Sequence, residues 1–347
     1  MKTTKIFSLH ETGMRDNNED YTVRVNDHCF IVCDGMGGHE NGEVASRAVC
    51  ESFVATLRDV NPEYFDQKMF EGALTVAYNA LDKEDSSLNR TMPGNKKMGT
   101  TLAFLYLNHR QALMAHIGDS RIYHIRKSET GETSILYKSS DHSFVNDLIK
   151  SGMITEEEAA RHPKRNVITR VMQPNTGKRY EAHIEITRDV KANDRFFLCT
   201  DGILESVDDR RLCNLISENA DNEAIIKAIF DLCKENSRDN FSAWLVSVQE
   251  GVKGVAPDID TKKKINEEIT VNPPKPPHLR PVRKWLLVCC VAVLFFLFHT
   301  LKVCVRIEKR KNMPNIMQYE PTQEEIDKVK QESIKQFINE YENRNQN

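Results

Sequence analysis

The chain has almost no net charge, no cysteines at redox or zinc spacing, and no leader-like apolar start. A formal charge of −3 over 347 residues gives no broad electrostatic case for binding nucleic acid. The nine cysteines show neither a CxxC spacing nor a paired pattern, and no HExxH or comparable His/Cys cluster occurs. The sequence therefore offers no support for a zinc centre or a disulfide scaffold. Cys289, Cys290 and Cys304 lie in or beside one hydrophobic segment, and most of the others occupy apolar runs. There a reduced thiol behaves as a small hydrophobe, as expected in a reducing, cytoplasmic setting. The first ten residues hold too short an apolar stretch for a signal peptide. A P-loop is missing too: in Gly94-Asn95-Lys96-Lys97-Met98-Gly99-Thr100-Thr101, Thr100 stands where lysine is required.

What the sequence does contain falls into four parts. Residues 1–249 read as one globular unit. Strands are expected at Cys29–Cys33, Leu102–Leu107, Ala112–Ile117, Arg121–Arg126, Arg195–Thr200 and Ala243–Val248. Several are only a few residues apart, which favours antiparallel hairpins. Val44, Ala48, Phe53 and Leu57 predict one helix face, with Val49 and Val54 beside it; Phe70, Leu74, Ala77 and Leu81 predict another. The fold class expected is α+β, antiparallel sheets with helices outside. Residues 250–284 carry six of the twelve prolines together with Lys262–Lys264 and read as an extended linker. Trp285–Leu301 is an uncharged run of 17 residues. As a helix it would be about 26 Å long, close to a bilayer's hydrocarbon thickness. A transmembrane helix is expected at 285–305, followed by a polar acidic tail at 306–347.

The basic residues flanking the span lean slightly towards a cytoplasmic C-terminus. A long domain without a signal peptide argues the other way. The expectation adopted is a single-pass cell-membrane protein with residues 1–284 in the cytoplasm, the span in contact with lipid, and the tail outside.

Chemistry enters with the acids. Asp34 and Asp201 each follow an apolar run and precede glycine in what reads as a turn, and Asp119 follows Gly118 at the end of a third run. Glu19, Asp20 and Asp239 complete the set of acids near strand ends. Oxygen donors of this kind suit Mg²⁺ or Mn²⁺, and Gly35 lets a backbone carbonyl approach an ion beside Asp34. Two such ions a few ångströms apart can activate a water between them and clamp an in-line displacement at phosphorus. Arg15 is the cation best suited to grip the phosphate bidentately. Each motif alone also has a dull explanation, a common turn or a surface ion pair. The ordered set carries the reading.

The set comprises Gly13-Met14-Arg15 with Asn18-Glu19-Asp20, Asp34-Gly35-Met36-Gly37-Gly38-His39 and Met98-Gly99-Thr100-Thr101. It continues through Gly118-Asp119-Ser120-Arg121, Asp141-His142-Ser143, Leu198-Cys199-Thr200-Asp201-Gly202 and Ser237-Arg238-Asp239-Asn240. In this order it resembles the PPM family, the metal-dependent protein phosphatases related to protein phosphatase 2C, in its bacterial form. The resemblance covers residues 5–249 and implies an α-β-β-α sandwich that hydrolyses phosphoserine and phosphothreonine in proteins. By the same resemblance Asp34 bridges two ions and Gly35 offers its carbonyl to one. Asp201 and Asp239 ligate the other, Glu19 lies near the first mostly through water, and Asp20 supports from behind. Asp119 would help a third, weaker ion, and Arg15 would orient the phosphate. Some relatives have a histidine as proton donor where this chain has Met36, which leaves ion-bound water or His39 for that task. The segment from Asp141 to Met172 resembles the family's flap, with Thr155 and Glu158 forming a capping box. Phosphoproteins, and by resemblance a cognate serine/threonine kinase, are the expected partners. The alternative is a pseudophosphatase, the same fold kept as a membrane-tethered phosphoprotein-binding module.

Overall fold

The computed structural model describes residues 2–37, 41–91, 98–176, 178–219 and 221–252, all within a unit spanning Met1–Ala256. His39 and the segments expected to be linker, span and tail, beyond residue 252, lie outside the described residues. Among the described residues no helix is long and apolar enough to cross a membrane.

The chain runs β1 (Lys2–Glu11), β2 (Tyr21–Val25), β3 (Cys29–Cys33), β4 (Gly35–Met36), α1 (Gly42–Leu57), α2 (Gln67–Thr91), β5 (Gly99–Thr100), β6 (Leu102–Leu107) and β7 (Ala112–Ile117). It continues as β8 (Arg121–Lys127), β9 (Thr133–Lys138), α3 (Phe144–Lys150), α4 (Glu156–Ala160), β10 (His183–Thr187) and β11 (Arg195–Cys199). It closes with α5 (Asp201–Leu204), α6 (Asp209–Glu218), α7 (Asn222–Asn236) and β12 (Phe241–Glu250). Two five-stranded sheets result, ordered β1-β12-β11-β8-β9 and β10-β7-β6-β3-β2. All their pairings are antiparallel, as the hairpin spacing requires.

The period-two alternation of strand side chains divides the interior into three cores. Phe30, Val32, Leu105 and Met114 face Phe196, Leu198 and Val246 between the two sheets. Their neighbours Cys29, Ile31, Phe104 and Tyr106 point the other way, against α1 and α2. On the opposite outer face, Phe197, Cys199 and Leu245 pack against Ile216 of α6 and Ile225 and Ile229 of α7. Strands buried on both faces explain the unbroken apolar runs in the sequence. Trp244 bridges the two sheets, its indole N–H donating to the Ile31 carbonyl at 3.1 Å.

The face expected for α1 needs a correction. Ala45, Val49, Phe53 and Leu57 are buried, whereas Val44 and Ala48 are only half-buried. The helix is turned by about one position: Ala45 packs into the core, and the Ser46 hydroxyl donates to the Glu19 carbonyl at 2.6 Å. In α2 the expected Phe70, Leu74, Ala77 and Leu81 are all buried.

Register then collects the loops. Cys199 pairs with Ala243 and with Arg121, Glu11 pairs with Phe241, and Tyr21 pairs with Cys33. Antiparallel pairing therefore places the segments 12–20, 34–37, 118–120, 200–202 and 237–240 at one end of the sandwich. Deep in the α1/α2 core, Phe104 packs among Phe53, Phe65 and Phe70 with centroids 4.8–6.1 Å away. Phe104→Ala is expected to lower unfolding free energy by about 3–5 kcal/mol, read by chemical denaturation with unchanged far-UV circular dichroism.

Candidate active site

The acid-bearing loops are held by one another rather than by their own strands alone. Asn240 is the principal tie. Its side-chain oxygen accepts the Glu19 N–H at 2.8 Å, and its amide donates to the Thr12 and Asn17 carbonyls at 2.7 and 2.9 Å. The loop carrying Arg15 and Glu19 is thus fastened to the residue beside Asp239. Asp34 is pinned in the same way: its N–H donates to the Thr101 hydroxyl, and its carbonyl accepts from the Thr101 N–H and the Thr100 hydroxyl, all at 2.9 Å. The Gly35 N–H donates to the Glu19 carbonyl at 3.1 Å. A methyl group on Gly35 would collide with the Gly42 and Glu19 backbones. The need for glycine there is close backbone packing, in addition to the open carbonyl inferred from the sequence. Gly118 sits at φ +101°, a left-handed conformation that suits glycine, and it turns the chain into Asp119.

This end of the sandwich is electrostatically uncomfortable. Burial, then Asp20, Asp201, Asp119 and Asp239, raise the Asp34 pKa well above the usual carboxylate range. Burial and Asp239 push Asp201 up to about 6. Burial, with Asp201 and Asp141, pushes Asp119 up to about 7, and its Oδ1 is buried without a hydrogen-bond partner. Asp20 also rises to about 7, chiefly through burial, although the Thr200 hydroxyl donates to its Oδ2 at 2.9 Å. Burial raises Glu19. One cation stands among them: Arg15 donates to Asp239 at 2.6 Å, and that bond raises the guanidinium's own pKa. Among the described residues no three His, Cys, Asp or Glu side chains are already drawn into a coordinating group. Even so, an all-oxygen set of acids in mutual repulsion, with an unsatisfied buried carboxylate oxygen, fits hard divalent cations.

The segment from Asp141 to Met172 is rooted in this framework at both ends. Arg121 grips Asp141 through a forked pair at 2.8 and 2.7 Å. The His142 N–H donates to the Gly118 carbonyl at 2.9 Å, and the Gly118 N–H donates to His142 Nδ1 at 3.1 Å. That ring nitrogen must be unprotonated, and burial beside His116 lowers the His142 pKa to about 3. At the far end Met172 and Thr100 exchange two backbone bonds of 2.9 Å. Between the roots lie α3 and α4, the latter opened by the expected capping box of Thr155 and Glu158. A cleft of about 1060 Å³ runs from Asp119 and Asp201 along these helices.

The sequence profile of the protein phosphatase 2C family matches residues 14–248, more than half of the chain. The chain belongs to the protein phosphatase 2C family. It is similar to the serine/threonine protein phosphatase PstP of Mycobacterium tuberculosis, with 36% identity over 200 residues, 57% of this chain and 36% of PstP. The match thus spans about a third of that relative's length. Protein phosphatase PhpP of Streptococcus pneumoniae is 31% identical over 270 residues, 71% of this chain and 98% of PhpP. The crystal structure of M. tuberculosis PstP superposes with a TM-score of 0.63 at 27% identity, covering 72% of this chain and all of that one. The two-sheet phosphatase 2C fold is therefore the fold of this chain.

Every residue singled out in the sequence (Arg15, Glu19, Asp20, Asp34, Gly35, Asp119, Asp201, Asp239) lies in the converging loops or directly beneath them. One local detail differs from expectation: Asp201-Gly202 opens the short helix α5 instead of forming a turn. Arg121 anchors the segment that begins at Asp141, and Asn240 is the tie between loops. Met36 is half-buried in β4 opposite Gly99. Thr100, Thr101, Thr200 and His142 were visible only as members of the matched segments, because their partners lie tens to hundreds of residues away.

Asn240→Ala removes three hydrogen bonds and is expected to cost about 3 kcal/mol of stability and to depress turnover. Thermal melting alongside a phosphatase assay checks both effects. The acid cluster gives a pH prediction with a definite sign. Asp20, Asp119 and Asp201 have folded-state pKa values above the unfolded carboxylate range near 4. Their contribution favours folding while they are protonated and is lost as pH rises through about 6–7. In chelator the full chain is expected to melt lower at about pH 8 than at about pH 5.5, and added Mn²⁺ to restore the loss at the higher pH. A melting temperature indifferent to both would contradict the charge assignment.

Proposed function

We propose that this chain is a metal-dependent protein phosphatase that hydrolyses phosphoserine and phosphothreonine in proteins. The observation carrying this reading is the register-driven convergence of Glu19, Asp34, Asp119, Asp201 and Asp239 beside Arg15. The catalytic domain of PstP, 27% identical and covering 72% of this chain with a TM-score of 0.60, was solved in complex with two manganese ions. That supports a pair of Mn²⁺ or Mg²⁺ ions here. Asp34 would hold both, the Gly35 carbonyl one of them, and Asp201 with Asp239 the other. Glu19 would approach the first mostly through water, and Asp119 would serve a third, weaker ion. Once bound, such ions supply Lewis acidity that lowers the pKa of a coordinated water and offsets charge on the phosphoryl oxygens.

The chain's own residues do the positioning. Arg15 spends one N–H on Asp239 and keeps further donors of its planar fork for two phosphate oxygens. Thr100 and Thr101 fix the Asp34 backbone, and Thr200 fixes Asp20. In the reaction the water oxygen bonds to phosphorus as the ester bond from phosphorus to the serine or threonine oxygen breaks, and a proton given up by that water ends on the departing oxygen. Met36 has none to give. The products are inorganic phosphate and the free hydroxyl side chain. A pseudophosphatase role is disfavoured, since every acid position is filled.

Residues 285–305 are proposed as a single membrane anchor that leaves the catalytic unit in the cytoplasm. The support is the uncharged 17-residue run behind a proline-rich linker. A cognate kinase acting on the same phosphoproteins is the proposed functional counterpart.

The deciding assay is phosphopeptide hydrolysis by the full chain with Mn²⁺, Mg²⁺ or chelator. Cation-dependent release of phosphate is expected, and silence in every condition would leave only the binding-module reading. Asp34→Asn is expected to lower kcat at least about a hundredfold with the fold intact by circular dichroism. Arg15→Ala is expected to lower kcat/KM about ten- to hundredfold, mainly through KM.

A further inference from the structure

Away from the acids, the cleft has a charge pattern that the hydrolytic chemistry does not use. Its walls carry Lys150 from the end of α3, Arg165 from the loop after α4, and Arg238 from the segment before β12. All three are exposed, and among the described residues none of their side chains is in an ion pair. The other wall cations are already committed, Arg121 to Asp141 and Lys138 to Asp209. Of the wall carboxylates outside the acid cluster, Asp141 is neutralised by Arg121. Glu205 accepts the Arg238 backbone N–H at 2.7 Å, a neutral donor that leaves its charge in place, so Glu205 and Glu156 both count against the cations. Three uncommitted cations against two acids, Glu156 and Glu205, leave these walls one positive charge in excess along the path by which a peptide would reach Asp119 and Asp201.

Exposed cations held on three separate segments, all facing one cleft, are placed to read charge on a bound chain. Removing the phosphate needs none of them, since Arg15 lies on a different loop. We infer that Lys150, Arg165 and Arg238 form a specificity wall that selects phosphopeptides with acidic side chains flanking the phosphorylated residue. This rests on the phosphatase reading and names the substrate class that site prefers. Exposed pairs are individually weak and screened by salt. The effect is therefore a graded preference, strongest at low ionic strength.

The test uses the full chain with Mn²⁺ and three phosphothreonine peptides of equal length, identical except for flanking residues that are glutamate, glutamine or lysine. The expected order of kcat/KM is glutamate over glutamine over lysine. Glutamate should lead glutamine by about tenfold at low salt, and the gap should narrow as ionic strength rises. The triple variant Lys150→Glu, Arg165→Glu, Arg238→Glu is expected to invert the order. Damage to the fold would slow all three peptides together and could not produce an inversion. Equal rates on the three peptides, or an order that the reversal leaves unchanged, would overturn the inference while the phosphatase reading stands. No hydrolysis of any peptide would overturn that underlying reading and the inference with it.

Discussion

Strand register brings six carboxylates to one end of a two-sheet sandwich, and the repulsion among them is what the surrounding structure has to contain. At an effective dielectric near 20, two such charges about 4 Å apart repel by on the order of 4 kcal/mol. Desolvation adds to this. The raised proton affinities of Asp20, Asp34, Asp119 and Asp201 are the same tension seen from the side of the proton. A site that holds acids this way has a strong demand for positive charge, and divalent cations meet that demand without protonation.

Containment explains features that look unrelated. Three cores bury both faces of the central strands, so that strand ends cannot drift apart to relieve the repulsion. Asn240 fastens the Glu19 loop to the Asp239 segment, and the paired threonines Thr100 and Thr101 fix Asp34. The flap is tied to the same framework through Arg121–Asp141 and His142–Gly118. Its helices therefore form a wall of the cleft that begins at Asp119 and Asp201.

Much of this was legible in the residues themselves. Apolar runs ending in Asp34, Asp119 and Asp201 announced strands that deliver acids, and close spacing announced antiparallel pairing. The α2 face at Phe70, Leu74, Ala77 and Leu81 followed from helical period. The helix α7 was overlooked, although Ile225, Ile226, Ile229 and Cys233 mark its face. The edge strands β2, β9 and β10 were missed too: they are only partly buried, so their alternation is blunted by polar residues. The rotation of α1 was not legible because alanine and serine carry little hydrophobic signal, yet Ala45 and Ser46 are fully buried. Long-range ties such as Asn240 to Thr12 depend on pairing across the whole chain, which local sequence does not encode.

The central claim is that these acids form one cation-holding cage, and the most direct measurement is anomalous diffraction at the manganese edge from crystals soaked in Mn²⁺. The account predicts two strong peaks enclosed by Asp34, the Gly35 carbonyl, Asp201 and Asp239, with Glu19 and Asp119 at the margin. Peaks elsewhere, or no anomalous signal among those side chains, would contradict it.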